Sequence, residues 1–269
     1  MAAAEAALNS LTNRIYGTPA QRRAGEILFY HDRQDPLRAC MAQARFTYTP
    51  PPFVDIYANA TSFPIPDGVG EWTALIDKSK IGIGIGNSTI NSSGLDADRP
   101  NPSYDKLSPK DKASYNAALD NCLKSARDPG DDNFPSAKAS LDDQLVKLVA
   151  SVEHQPEIVT SASGYASCMR AAGIPVKNYH DLIDTVQRHF ATAEPPLAHQ
   201  AASQAWLNAV SYEGNAAMAD ATCRQPTHNA VMLLLLPQLG PFVATHAAEL
   251  TLVDQQWSDI IAKAATYTK

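Results

Sequence analysis

Four cysteines set in two matching contexts constrain this chain more than any other feature. Cys40 opens Cys40-Met41-Ala42-Gln43-Ala44-Arg45-Phe46, and Cys168 opens Cys168-Met169-Arg170-Ala171-Ala172-Gly173-Ile174. Each begins Cys-Met, keeps alanine at the fourth residue after the cysteine and places an apolar residue at the sixth. Asn116-Ala117-Ala118-Leu119 then precedes Cys122, and Asn215-Ala216-Ala217-Met218 precedes Cys223. The pattern reads as a half-repeat: residues 1–150 and 151–269, each with a Cys-Met helix end and a later helix bearing a second cysteine, around one continuous core. Disulfides Cys40–Cys122 and Cys168–Cys223 fit this repeat best, and closing loops of that length contributes about 4 kcal/mol each. Four reduced, buried thiols are a second reading, natural to a cytosolic protein. A third is a Cu(I) site using thiolates with Met41 and Met169, since soft ligands suit that ion. Spacing opposes it: there is no CxxC, and Cys-Met neighbours on a helix diverge by about 100°. No metal and no cofactor is expected. The two remaining disulfide pairings stay open.

At 269 residues the chain buries roughly three quarters of its unfolded surface, so cysteine cross-links are not needed merely to fold it. With 45% hydrophobic and 19% charged residues it is not globally disordered. A net charge of -6 gives no basic footprint, and no nucleic-acid partner is expected. No run approaches the ~18–20 apolar residues of a membrane span. The greasiest, Val231 to Leu236, is closed by Pro237 and reads as a buried helical turn. Met1–Leu8 is alanine-rich, contains Glu5 and lacks the features of a signal peptide.

Periodicity and caps give a mainly α fold, a helical bundle. Residues 1–48 read as helical, with Thr18-Pro19 as a cap and first position and Pro36 marking a break or new start. Ser108-Pro109 starts a helix carrying Tyr115, Leu119 and Cys122 on one stripe. Further helices are expected at 141–152, 158–172, 178–193 and 199–223, and over 227–265 with breaks at Pro237 and Pro241. Between these lies a loop-rich, proline- and glycine-rich insert near 49–107, with short strands possible at Phe53–Tyr57 and Lys80–Ile85. Rings in and just before it, Phe46, Tyr48, Phe53, Tyr57, Phe63 and Trp72, either pin an irregular segment to the core or form a rigid ligand or partner groove. Phe46, Tyr48, Phe53, Tyr57 and Trp72 are the candidate binding residues.

Several segments resemble a family of exported actinobacterial proteins of uncharacterised function. They are Glu26-Ile27-Leu28 through Cys40-Met41 with Phe46 and Tyr48, Asn101-Pro102 with Tyr104, Leu107 and Ser108, Tyr115 to Leu119, Tyr165-Ala166 with Cys168-Met169 and Ala172-Gly173, and Ala219-Asp220-Ala221 with Cys223-Arg224. Their signature is Cys-Met-x-x-x-Gly-Phe-x-Tyr-x-Pro. Arg45 stands where it has glycine, and Ile174 replaces an aromatic in the second segment. The resemblance implies export, often as a lipoprotein, with the four cysteines paired outside the membrane; it implies no activity.

Catalytic patterns are weak. Gly82-Ile83-Gly84-Ile85-Gly86 is GxGxG without the lysine or the spacing of a phosphate loop, and reads as a turn or strand edge. His180 and Asp184 share a helix face, while His189 falls near the opposite one. There is no HExxH or GxSxG. Asp131-Asp132 and Asp142-Asp143 are adjacent pairs whose side chains point apart. Sequons begin at Asn59, Asn87 and Asn91. The sequence therefore points to a secreted or envelope-associated, disulfide-stapled, non-catalytic binding protein with an unknown protein or small-molecule partner. The alternative is an extracellular hydrolase whose site is assembled from loops.

Overall fold

The computed structural model describes residues 2–55, 57, 67–74, 83–86, 102–126, 133–196 and 201–267. Helix α1 spans Ala2–Tyr16. Helix α2, Pro19–Gln43, starts from a capping box: the Thr18 hydroxyl accepts from the Gln21 N–H at 3.4 Å, and the Gln21 amide oxygen accepts from the Thr18 N–H at 2.7 Å. The break expected at Pro36 does not occur. Leu37 and Met41, just beyond it, are buried, and their burial offsets the roughly 3 kcal/mol cost of an interior proline.

A single 3-10 turn, Asp67–Val69, precedes the short helix α3, Pro102–Asp105. Helix α4 (Pro109–Ser125) begins where Ser108 accepts from the Asp111 N–H, with proline in its first turn. Then come α5 (Lys138–Glu153), α6 (Pro156–Ala162) and α7 (Tyr165–Ala171). The one helix expected over 158–172 is thus two, separated at Ser163-Gly164. Asn178 caps α8, Tyr179–Phe190, by accepting from the Asp181 N–H at 2.9 Å.

Helix α9 runs unbroken from Gln204 to Thr245 with Pro226, Pro237 and Pro241 inside it, and α10 spans Ala247–Ala264. Breaks were expected near residue 224 and at the last two prolines. Instead, Thr227, Val231, Met232, Leu235, Leu239 and Phe242 keep one face buried across all three. The Val231–Leu236 run is only half a core turn: Val231, Met232 and Leu235 are buried while Leu233 and Leu236 are exposed.

No strand occurs among the described residues. Residues 53–55 are irregular and Tyr57 lies in a turn, following three prolines that lack N–H donors. Residues 83–86 form a bend and a helical turn whose N–H groups are taken by a side chain, leaving no ladder to make. The rest of both candidate strands lies outside the described residues.

Contacts gather the chain into two compact units. The first comprises Met1–Ser10, Pro64–Asp98 and Asp143–Ala244; the second comprises Leu11–Phe63, Arg99–Asp142 and Thr245–Lys269. Both units draw on segments from either side of residue 150. The first holds the buried face of α9 and, also buried, Leu145 and Val149 of α5, Met169 of α7, and Leu182 and Val186 of α8. In the second, α2 packs against α10 and α4. Ala24, Ile27 and Leu28 meet Ala264 there, and Leu37 and Met41 meet Tyr115 and Cys122.

Candidate functional site

All four cysteines are paired. Cys40, in the last turn of α2, joins Cys122 of α4 with Cα atoms 5.8 Å apart, inside the second unit. Cys168 of α7 joins Cys223 of α9 at 5.6 Å, inside the first. Both Cys-Met helices end in the same cap. Arg45 and Gly173 take left-handed backbone angles, φ +64° and +83°. One residue on, the Phe46 N–H donates to the Met41 carbonyl and the Ile174 N–H to that of Met169, each at 2.9 Å, in the Schellman pattern. Met41 and Met169 are fully buried beneath these caps. With the thiols spent and both thioethers enclosed, the soft ligand set for Cu(I) is not on offer.

Four of the five candidate binding aromatics fall in the second unit, each held by a helix. Phe46 lies edge-on to Tyr115 at 5.4 Å, in a cluster that includes Tyr104 and Leu107. The Tyr48 hydroxyl donates to Gln34 at 2.9 Å. Phe53 lies edge-on to Tyr30 at 5.7 Å, and the Tyr30 hydroxyl donates to the Pro51 carbonyl at 2.6 Å. Tyr57 is half-buried; burial, and then the nearby Glu26 carboxylate, push its hydroxyl pKa up. Asp55, paired with Arg23, accepts the Tyr57 N–H. Trp72 belongs to the first unit and is buried, edge-on to Tyr165 at 5.5 Å. Phe63 lies outside the described residues.

Polar groups missed by the sequence reading anchor the insert within the first unit. The Glu153 carboxylate accepts the N–H groups of Glu71 and Trp72 at 3.1 and 2.7 Å. Arg224 donates to the Glu71 carbonyl, and His228 Nδ1 lies 2.9 Å from that of Trp72. Glu213 accepts from Gly84, Ile85 and Gly86 at 2.6, 2.8 and 3.2 Å. The N–H groups of Gly84 to Gly86 therefore converge on one carboxylate, as the N–H groups of a phosphate loop converge on an anion, but here it is the protein's own side chain. A Cβ on Gly86 would stand 2.9 Å from the Phe190 ring and 3.1 Å from Glu213 Oε2, which is why glycine is needed there.

Behind these contacts, Asp220 accepts from the Tyr165 hydroxyl at 2.5 Å and from two Arg224 nitrogens at 3.0 and 2.9 Å. Burial and the Asp220 charge drive the Tyr165 hydroxyl pKa strongly upward. Burial opposes the Arg224 charge, but its bonds to Asp220 outweigh that and raise its pKa. The guanidinium also stacks over the Tyr179 ring at 4.1 Å. Both nitrogens of buried His228 are engaged, Nδ1 with the Trp72 carbonyl and Nε2 with Glu5 Oε1, each at 2.9 Å. Carboxylates, a histidine and a tyrosine thus converge, yet they bind one another and the backbone.

Among the described residues no three His, Cys, Asp or Glu side chains are placed to hold a metal. His189 stacks on Tyr212 at 3.7 Å. His199, Asp131, Asp132 and the three sequon asparagines lie outside the described residues. Asp142 accepts from the Tyr16 hydroxyl.

A half-open cleft of about 480 Å³ lies in the second unit between Phe134, Lys138, Gln256, Asp259 and Ile260. The Lys138 ammonium sits 5.6 Å from the centre of the Phe134 ring and 5.8 Å from that of Tyr16. Gln256 is engaged by Ser136 and by the Ala137 N–H, and Asp259 accepts from Gln255. The cleft can take a small amphipathic group, but its walls hold no nucleophile paired with a base. Among the described residues no single helix is long and apolar enough to cross a membrane. No known family model matches the chain, and no curated protein or solved structure matches it either.

Proposed function

We propose that this is an exported, disulfide-stapled helical protein that works by binding a partner in the cell envelope or extracellular space rather than by catalysis. The observation that carries the reading is the pairing of all four cysteines, one disulfide inside each compact unit. Such cross-links persist in oxidising compartments and are rare in the cytosol. The resemblance to exported actinobacterial proteins supports the same compartment, and the two matching Cys-Met caps support descent from a duplicated half.

The binding surface is the irregular segment from Phe46 to Asp55, together with Tyr57. Its half-buried rings are fixed by α2 and α4, so little side-chain freedom is lost when a partner covers them. Val54, 47% exposed, stands among them. Non-catalytic action is supported by the buried His228, Asp220 and Arg224 groups, whose polar atoms are spent on anchoring the insert. The test is a free-thiol count with non-reducing peptide mapping on protein recovered from its native compartment. Absence of free thiols is expected; four free thiols would overturn the export reading.

A further inference from the structure

Helix α10 pairs its charged side chains with one exception. Glu249 meets His246, Asp254 meets Arg14 and Lys263 meets Asp32. Asp259 faces no cation among the described residues and accepts only from Gln255, at 2.9 Å. Asp259 lines the 480 Å³ cleft, and the other wall of that cleft carries Lys138, at the start of α5. Lys138 has no carboxylate partner among the described residues. Its ammonium lies over the Phe134 and Tyr16 rings at 5.6 and 5.8 Å, and Asp142, one turn on, is taken up by the Tyr16 hydroxyl. A cation and an anion thus line one cleft without pairing with each other.

The Lys138 wall suits a carboxylate. Ser136 Oγ accepts from Gln256 Nε2 at 3.0 Å, which leaves its own hydroxyl proton to donate. Lys138 and Ala139 open α5, where N–H groups lack intrahelical acceptors and the helix dipole favours an anion. Phe134, Pro135 and Ile260 make the rest of the lining largely apolar. These walls are set in advance. Trp257 holds the Phe134 ring edge-on at 6.0 Å, and Ile260 packs against the cluster of Ala24, Ile27, Leu28 and Ala264. Gln256 ties the two walls together by accepting from the Ala137 N–H at 3.2 Å.

We propose that this cleft binds a short peptide by its two free ends, the terminal carboxylate at Lys138 and Ser136 and the terminal ammonium at Asp259, with an apolar side chain against Phe134 and Ile260. Charge selects a zwitterion. A fatty acid or a simple anion would meet Lys138 but face the Asp259 carboxylate, and an apolar amine would meet Asp259 but face the Lys138 ammonium. Size selects a peptide. In a single amino acid both charges branch from one carbon, whereas a dipeptide sets its ends about 7 Å apart and reaches both walls. A volume of 480 Å³ lies within the range of pockets that enclose small ligands. The cleft shares no residue with the partner surface proposed above and holds whether or not the protein is exported.

NMR titration of the isotope-labelled, oxidised full chain with leucyl-leucine tests it, with Kd on the order of 0.1 mM expected for a ligand of that size. N-acetyl-leucyl-leucine, leucyl-leucinamide and glycylglycine lack the ammonium, the carboxylate and the apolar body respectively. Each should bind at least tenfold more weakly, and so should L-leucine. Two variants separate the two ends. In Lys138→Met the dipeptide and its amide should bind alike, with the acetylated form still the weakest. In Asp259→Asn the dipeptide and its acetylated form should bind alike, with the amide still the weakest. A fold weakened by either substitution would lower all affinities together and leave the order of the analogues unchanged. No binding of leucyl-leucine up to about 10 mM would overturn the proposal. So would an amide, an acetylated form or L-leucine that binds the wild-type chain as tightly as the dipeptide, or an order of analogues unchanged in both variants.

Discussion

Arg45 and Gly173 occupy the same position of the same helix cap, at φ +64° and +83°. Only glycine adopts that geometry without steric cost, and for other residues it costs about 1–2 kcal/mol. The signature that the first segment resembles has glycine where this chain has Arg45. Arg45→Gly should therefore raise the unfolding free energy by about 1 kcal/mol, and Gly173→Ala should lower it by a similar amount. Nothing lies within 4 Å of a Cβ built on Gly173, so its loss would come from the backbone alone. Urea unfolding of the two variants measures both changes.

Glu153 gives a residue-level pH dependence. Burial raises its carboxyl pKa above the ordinary 4.5, and the Trp72 and Glu71 N–H groups offset only part of that. A carboxyl that binds its proton more tightly folded than unfolded favours the fold at acid pH. That contribution is full below the unfolded pKa and is lost as pH rises through the folded one. Glu153→Gln cannot titrate. Relative to that variant the wild-type protein should gain stability between pH 7 and pH 4.5, read as the difference in urea midpoints. An unchanged difference would mean that the carboxyl carries no burial penalty.

At the scale of elements, the caps were legible and the interruptions were not. Thr18-Pro19, Ser108-Pro109 and the end at Gly173 announce themselves because capping is local chemistry between residues a few positions apart, whereas the helix read through residue 48 stops at Gln43. Pro36, Pro226, Pro237 and Pro241 misled because an interior proline is a local penalty overcome by burial that only the fold reveals. Glu213 was hidden for the same reason: its partners lie about 130 residues upstream, at Gly84 to Gly86. One signal was available, since the charges of α9 fall at helical spacing along an otherwise uncharged segment. Glu213→Ala leaves three N–H groups without their acceptor and should cost about 3 kcal/mol. Glu213→Gln keeps a carbonyl oxygen for part of the set and should cost less. Denaturant unfolding of both variants would separate lost acceptor from lost charge.

For the whole molecule, the cysteine contexts indicated both pairings, and each disulfide closes a long loop, 82 and 55 residues apart in sequence. Replacing either pair by serine should lower stability by about 4 kcal/mol, measured by denaturant unfolding of the two double variants. The division into units was not legible, because they interleave segments from across the chain and no local pattern records which segments meet. The candidate site was half legible. The ring-bearing insert stood out by composition, but the separation of Trp72 from the other four rings depends on tertiary contacts.

The burial of charge along α9 governs how the folded protein meets a protease that needs a basic side chain. Between Arg188 and Lys263 the sequence holds one lysine or arginine, Arg224, and it is 2% exposed and bound to Asp220. Trypsin acting on the native fold thus finds no entry point along the whole of α9, and the stretch from His189 to Lys263 should survive as one piece. Cutting after Arg224 then reports the opening of the first unit.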